Sequence, residues 1–216
     1  VDGVAVNDET VYYTLSGENR SILNIPLPAE IAPGESARIF LTFTIVLPNT
    51  GSRLGVNKTG IMLGNALPIA AVYENGAWRS DAYVAAGDAF YSACADYKVA
   101  VSAPAGWELA HTGSLVEKTS EGRVTTWYIS AAETRDFALA FMKSPHIEER
   151  MSENGYTTVY AFGSNRRHAE YLADAAAAAL SYFDEAIGGY PYDTFFVVPF
   201  DQGGGMEYPG LIMVSE

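Results

Sequence analysis

The sequence predicts a mainly β protein with a smaller α/β part at its C-terminal end. Three observations carry this. Residues 1 to about 143 are short β-branched and aromatic runs punctuated by Gly, Pro, Asn and Asp. A single long helical period follows, over 166–187. That helix lies between two apolar strand runs, Thr157 to Phe162 and Phe195 to Phe200, which makes a strand–helix–strand crossover unit.

The elements can be justified in order. Ile22 to Leu27 is a first strand. Ser36 to Pro48 alternates most clearly: Ile39, Leu41, Phe43, Ile45 and Leu47 interleave with Arg38, Phe40, Thr42, Thr44 and Val46, as in a half-buried strand. Pro33-Gly34 and Pro48-Asn49-Thr50-Gly51 are turn signals on either side. Asp88 to Val101, Val124 to Ser130 and Phe137 to Met142 are further strands, with turns at Pro104-Ala105-Gly106 and Glu121-Gly122. Many strands without a helix predict two packed antiparallel sheets. Ser144-Pro145 then breaks the pattern, so residues 1–144 are expected to form a β-sandwich domain and 145–216 the first portion of a second domain. Asn165 caps the helix. Leu172, Ala176, Ala179, Phe183 and Ile187 give it an apolar stripe. Gly188-Gly189 and Pro191 end it. Phe195 to Phe200 is continuously apolar, as a strand buried on both faces requires. Leu211 to Val214 reads as an apolar strand left unpaired. With Val1 in place of an initiator Met, it makes the chain read as a piece of a longer protein.

Composition narrows the function classes. The chain has 216 residues, 49% of them hydrophobic, so it can bury a sizeable core. Its net charge of −13 repels phosphate backbones and anionic lipid, which argues against nucleic-acid and polybasic-membrane partners. No run is long and apolar enough for a transmembrane helix. The single cysteine, Cys94, excludes an internal disulfide, and alternation around it predicts a buried structural thiol.

Three kinds of chemistry can be tested on the residues. His111, His146 and His168 show no i, i+4 pair, so H-E-x-x-H is absent and no metal ligands are assigned. His168 reads as a solvated first-turn residue and His111 as a strand-end residue. There is no G-x-S-x-G nucleophile elbow. Gly203-Gly204-Gly205 follows a strand, but no helix N-terminus follows the glycines, and Asp201 and Glu207 would repel an anion. The run suits a place where another backbone approaches closely. Glu207 just beyond it could meet the ammonium end of an extended peptide. A glycine-rich hairpin with a solvated carboxylate fits the same residues, and spacing alone sides with that hairpin.

Phe195 to Val214, F-F-V-V-P-F-D-Q-G-G-G-M-E-Y-P-G-L-I-M-V, resembles the aminopeptidase N family of zinc metallopeptidases, the gluzincin aminopeptidases. Gly204, Gly205, Met206 and Glu207 match the first four positions of that family's G-x-M-E-N block, and Tyr208 stands where Asn is usual. Gly188-Gly189-Tyr190-Pro191-Tyr192 resembles the family's entry into its thermolysin-like catalytic domain. Asn24 to Pro28, Pro33-Gly34-Glu35 and Gly87 to Pro104 resemble its saddle-like N-terminal β domain. The resemblance implies an antiparallel sandwich followed by a partial thermolysin-like segment. It implies a parent that removes N-terminal residues from peptides, with zinc held by residues outside this chain. Gly204, Gly205, Met206 and Glu207 would then bind substrate, Glu207 taking its free amine. The implied partners are a peptide with a free N-terminus and further parent chain packing on the C-terminal strand. This chain alone is expected to be non-catalytic and to hold no cofactor. The competing expectation is a β-sandwich binding or scaffold module of a cell-surface protein, with Trp78 and Trp107 as ring platforms. A cell-envelope or extracellular setting is favoured over the cytoplasm.

Overall fold

A computed structural model describes residues 1–81, 83, 90–153 and 155–215. In chain order its first strands are β1 (Gly3–Val6), β2 (Glu9–Thr10), β3 (Thr14–Ser16), β4 (Ile22–Asn24) and β5 (Ile39–Thr42). Next come β6 (Leu54–Val56), β7 (Ile61–Leu63), β8 (Tyr73–Glu74), β9 (Ala77–Trp78), β10 (Ala95–Pro104) and β11 (Trp107–His111). Then follow β12 (Ser114–Glu121), β13 (Val124–Thr134), β14 (Leu139–Lys143), β15 (His146–Met151) and β16 (Thr158–Gly163). Helix α1 (Arg166–Ile187) precedes β17 (Thr194–Phe200), β18 (Gly205–Tyr208) and β19 (Leu211–Ser215). The fold is thus mainly β, with one helix among the described residues. Contacts divide it into two compact units, Val1–Val46 with Ile69–Ser92 and Leu47–Pro68 with Ala93–Glu216.

The first unit is built from short ladders. Its sheet runs β2-β1-β5, and β3-β4 and β8-β9 are separate hairpins. Asn75 and Gly76, both at positive φ, close β8-β9 as a two-residue turn. The strand expected over Ser36 to Pro48 is ordered only from Ile39 to Thr42. Its partner β1 has four residues, so the ladder ends at Thr42. Beyond it Val46 is 89% exposed.

The second unit stacks three sheets and the helix. The first sheet is β10-β13-β12, the second β11-β14-β7-β6 and the third β15-β16-β17-β19-β18. Between the first two lies a cluster around Trp127, Ile129, Leu139 and Phe141. Between the second and third lies another, around Met62, Ala140, Met142, Phe196, Val198, Phe200 and Met213. Strand alternation explains this: in β14, Leu139 and Phe141 point one way while Ala140 and Met142 point the other. A strand covered on both faces must be apolar at every inner position, and Leu139 to Met142 are all buried. The strand expected from Asp88 begins only at Ala95, and Asp88 and Ala89 lie outside the described residues.

The crossover unit forms as the sequence predicts. β16 pairs with β17 in parallel across α1. The helix starts at a cap in which Asn165 Oδ1 accepts from the His168 N–H at 3.0 Å. Its apolar face differs from the expected stripe. Ala169, Leu172, Ala173, Ala176 and Leu180 are buried against the third sheet, whereas Ala179, Phe183 and Ile187 are exposed. No residue of the helix after Leu180 is buried. Leu211 to Val214 also differs: β19 is not unpaired but lies between β17, in parallel, and β18, antiparallel.

Candidate functional site

The G-x-M-E block forms the edge of the third sheet. Asp201 to Gly204 make a turn, and Gly205, Met206, Glu207 and Tyr208 form β18. Pro209 and Gly210, the latter at φ 74°, turn the chain back into β19. All four residues singled out in the sequence therefore sit on one strand and the turn that enters it.

Alternation sorts the side chains of β18. Glu207 pairs with Ile212 and Gly205 with Val214, two residues that pack toward α1. Tyr208 is buried in the cluster on the opposite face, and Met206 packs against it. Glu207 is thus on the helix side of the sheet, exposed, at its margin. The ladder also sets which backbone groups face outward. Ser215 N–H donates to Gly204 O at 3.1 Å. In an antiparallel pair this makes 204/215, 206/213 and 208/211 the closely bonded pairs. The N–H and C=O of Gly205 and Glu207 accordingly point away from β19, toward the open edge.

The glycines keep that margin bare. A Cβ on Gly203 would meet nothing within 4 Å. Gly204 has φ +96°, a conformation that side chains rarely adopt. A Cβ on Gly205 would touch only Met213 O, at 3.4 Å. The arrangement offers two outward main-chain pairs, a carboxylate on one face and no side-chain obstruction. It can accept an extended backbone and place a carboxylate near a cationic end.

Residues that the sequence reading missed support the strand from behind. The segment around the β6-β7 hairpin meets it at several points. Tyr208 O–H donates to Asn65 Oδ1 at 2.9 Å. Arg53 Nη1 lies 3.7 Å from Met206 Sδ. Lys58 Nζ pairs with Asp201 Oδ1 at 2.9 Å. Gly51 and Gly64 sit so close to Asp201 O and the Tyr208 hydroxyl that a Cβ on either would collide. Burial pushes the Tyr208 hydroxyl up to about 12, with Glu207 adding to the rise and Arg53 opposing it, so the group stays a protonated donor. Gly64-Asn65 is a turn dipeptide, but nothing in its spacing ties it to Tyr208.

The other candidates are placed as follows. Among the described residues no group of three His, Cys, Asp or Glu is arranged to hold a metal. His111 is buried, its Nδ1 3.2 Å from Thr112 O and its ring against Phe196. Burial holds its pKa down to about 4 despite the neighbouring Thr112 and Gly113 backbone and Asp193. His168 is half-buried with Nδ1 3.1 Å from Ser164 Oγ, and His146 is exposed on β15. These donors do not fit a zinc site. Cys94 is exposed, against the expectation of a buried thiol. The inward positions of β10 are Tyr97, Val99, Val101 and Ala103, so Cys94, three residues before Tyr97, has the outward parity. Trp78 is 60% exposed, with Tyr73 edge-on at 5.0 Å. Trp107 is half-buried against the first intersheet cluster. No helix of the described residues is long and apolar enough to cross a membrane.

Comparison with known proteins agrees with the architecture. No family model matches the chain, and no curated protein matches it. Solved structures do: the fold is that of zinc metallopeptidases of the M1 group. An M1 zinc metallopeptidase from Deinococcus radiodurans superposes with a TM-score of 0.60 at 19% identity, over 100% of this chain and 50% of that one. A mutant of the M1 enzyme from that organism, bound to a Tyr-Ser-Ala substrate, gives 0.57 at 19% identity over 99% and 50%. A two-domain M1 mutant bound to L-arginine gives 0.61 at 17% identity over 100% and 50%. The chain spans half the length of each. The chain is mainly β, as the resemblance implied, and shares its fold with M1 zinc metallopeptidases.

Proposed function

We propose that this chain is the amine-anchoring, non-catalytic part of a zinc aminopeptidase-like protein. Glu207 receives the free ammonium of a peptide, while Gly204, Gly205 and Met206 lie along its backbone. The observation that carries the reading is the exposed carboxylate on a bare sheet edge whose Gly205 and Glu207 main-chain groups point outward. Neighbours of the same fold bound to a tripeptide substrate and to an amino acid support a ligand of that kind. Zinc belongs to the rest of such a parent. Both sides of β19 are taken, so further chain would pack beside β18 or over a sheet face. The division at 144/145 is proposed on chain order, with the cluster between the second and third sheets drawing side chains from both sides of it.

Calorimetric titration of the chain with a tripeptide, free or N-acetylated, tests the reading. The free amine is expected to bind about tenfold tighter or better, and Glu207→Gln to erase the difference. Equal affinity for the two peptides sinks it, and so does turnover of an aminoacyl-anilide or stoichiometric zinc in the chain alone.

A second reading is a sugar- or partner-binding module in the cell envelope or outside the cell. It rests on the exposed Trp78–Tyr73 pair. Binding heat from an oligosaccharide that disappears in Trp78→Ala would favour it.

A further inference from the structure

We infer that Tyr208, Asn65, Gly64 and Arg53 form a positioning set that fixes the Glu207 strand for an incoming amine; this rests on the reading above. β18 is four residues long and has a ladder on one side only. Such an edge opens locally at low cost unless side chains hold it. Its two inward side chains are those of Met206 and Tyr208, the residues immediately before and after Glu207. Both are held by one hairpin.

The hold on Tyr208 is specific. Its ring lies in the core, and its hydroxyl reaches the Asn65 amide oxygen at 2.9 Å. Asn65 has φ 55°, in the left-handed region that Asn tolerates, and this backbone turn accompanies the bond. Gly64 leaves room for the hydroxyl, and its own N–H donates to Arg53 O at 2.8 Å, which closes the open end of the hairpin. Arg53 then extends to the Met206 sulfur. The Lys58–Asp201 pair secures the turn upstream. The backbone of Glu207 is thus held between two anchored neighbours, which fixes where its side chain leaves the strand. Tyr208 occupies the position at which the resembled block usually has Asn, so here the ring replaces a short amide with a tether to a distant hairpin.

The test uses the full chain and the same two tripeptides, free and N-acetylated. Tyr208→Phe removes the hydroxyl and keeps the ring; Asn65→Gly removes the amide and keeps the backbone freedom. Each is expected to weaken the free-amine peptide about fivefold and leave the acetylated one unchanged. Because both delete one bond, the double variant is expected to match either single. Amide exchange at Met206 and Tyr208, whose N–H groups face β19, is expected to quicken in both. Should wild type prefer the free amine and both variants keep that preference in full, the positioning role is overturned while the amine site stands, even if melting temperatures fall. Should wild type show no preference, the amine site fails and the positioning role fails with it.

Discussion

The two edges of the third sheet are finished in opposite ways. β15 carries Glu148, Glu149 and Arg150 in sequence. Arg150 bonds Asp174 on α1 at 2.7 Å and Glu148 at 3.2 Å, and Arg166 bonds Glu170 at 2.9 Å nearby. Charges along a strand deter pairing with another chain. β18, at the other side, presents glycine, a half-buried Met and one carboxylate. The same sheet therefore guards one margin and leaves the other bare. An unguarded edge is an aggregation hazard. Under the function proposed above, that contrast marks β18 as the margin that receives a peptide.

Both edges hang on the same core, so the largest expected effect is the loss of both. Phe196 is buried on the central strand between His111, Tyr160 and Phe162. Phe196→Ala is expected to cost about 3–5 kcal/mol in urea unfolding and to abolish peptide binding as well. The His111 contribution comes next. Its folded pKa lies below the unfolded value, so its stabilising share is full above about pH 6.5 and drains away as pH falls toward 4. The loss is expected to reach about 3 kcal/mol. The pH dependence of stability should flatten across that window in His111→Leu, and an unchanged slope would remove His111 from the account.

Smaller effects separate the edges. Asn165→Ala is expected to cost about 1 kcal/mol by uncapping α1, loosening the guarded side without touching peptide affinity. Gly203→Ala sharpens the contrast because its two effects have opposite signs. The position has an ordinary φ and open space around a Cβ, so the fold is expected to gain about 0.5 kcal/mol. Peptide affinity is expected to fall, since the added methyl narrows the bare margin. Arg150→Met, at an exposed ion pair, is expected to leave the melting temperature and the peptide titration unchanged.

Local signals made some of this legible and not the rest. Helix 166–187 could be read because cap, propensity and glycine stop agree at its ends. Strand Thr194–Phe200 could be read because burial on both faces leaves a continuous apolar run. The stripe on α1 misled because spacing alone does not say which of two adjacent faces meets the sheet, Leu180 being buried and Ala179 exposed, nor how far along the helix that burial runs. Ser36 to Pro48 misled for a related reason: alternation states what a strand could bury, while a four-residue partner decides how much of it is ordered. The candidate strand was visible through its glycines and carboxylate. The hairpin behind it was not, since Arg53, Gly64 and Asn65 carry no mark of a partner so far along the chain.

The near-contact between residue 64 and the Tyr208 hydroxyl ties two distant codons together. A methyl at 64 evicts the phenol, whereas a smaller side chain at 208 would leave a void that a methyl at 64 could help to fill. Descendants of this sequence would therefore be expected to change the two sites in step, glycine persisting wherever tyrosine does.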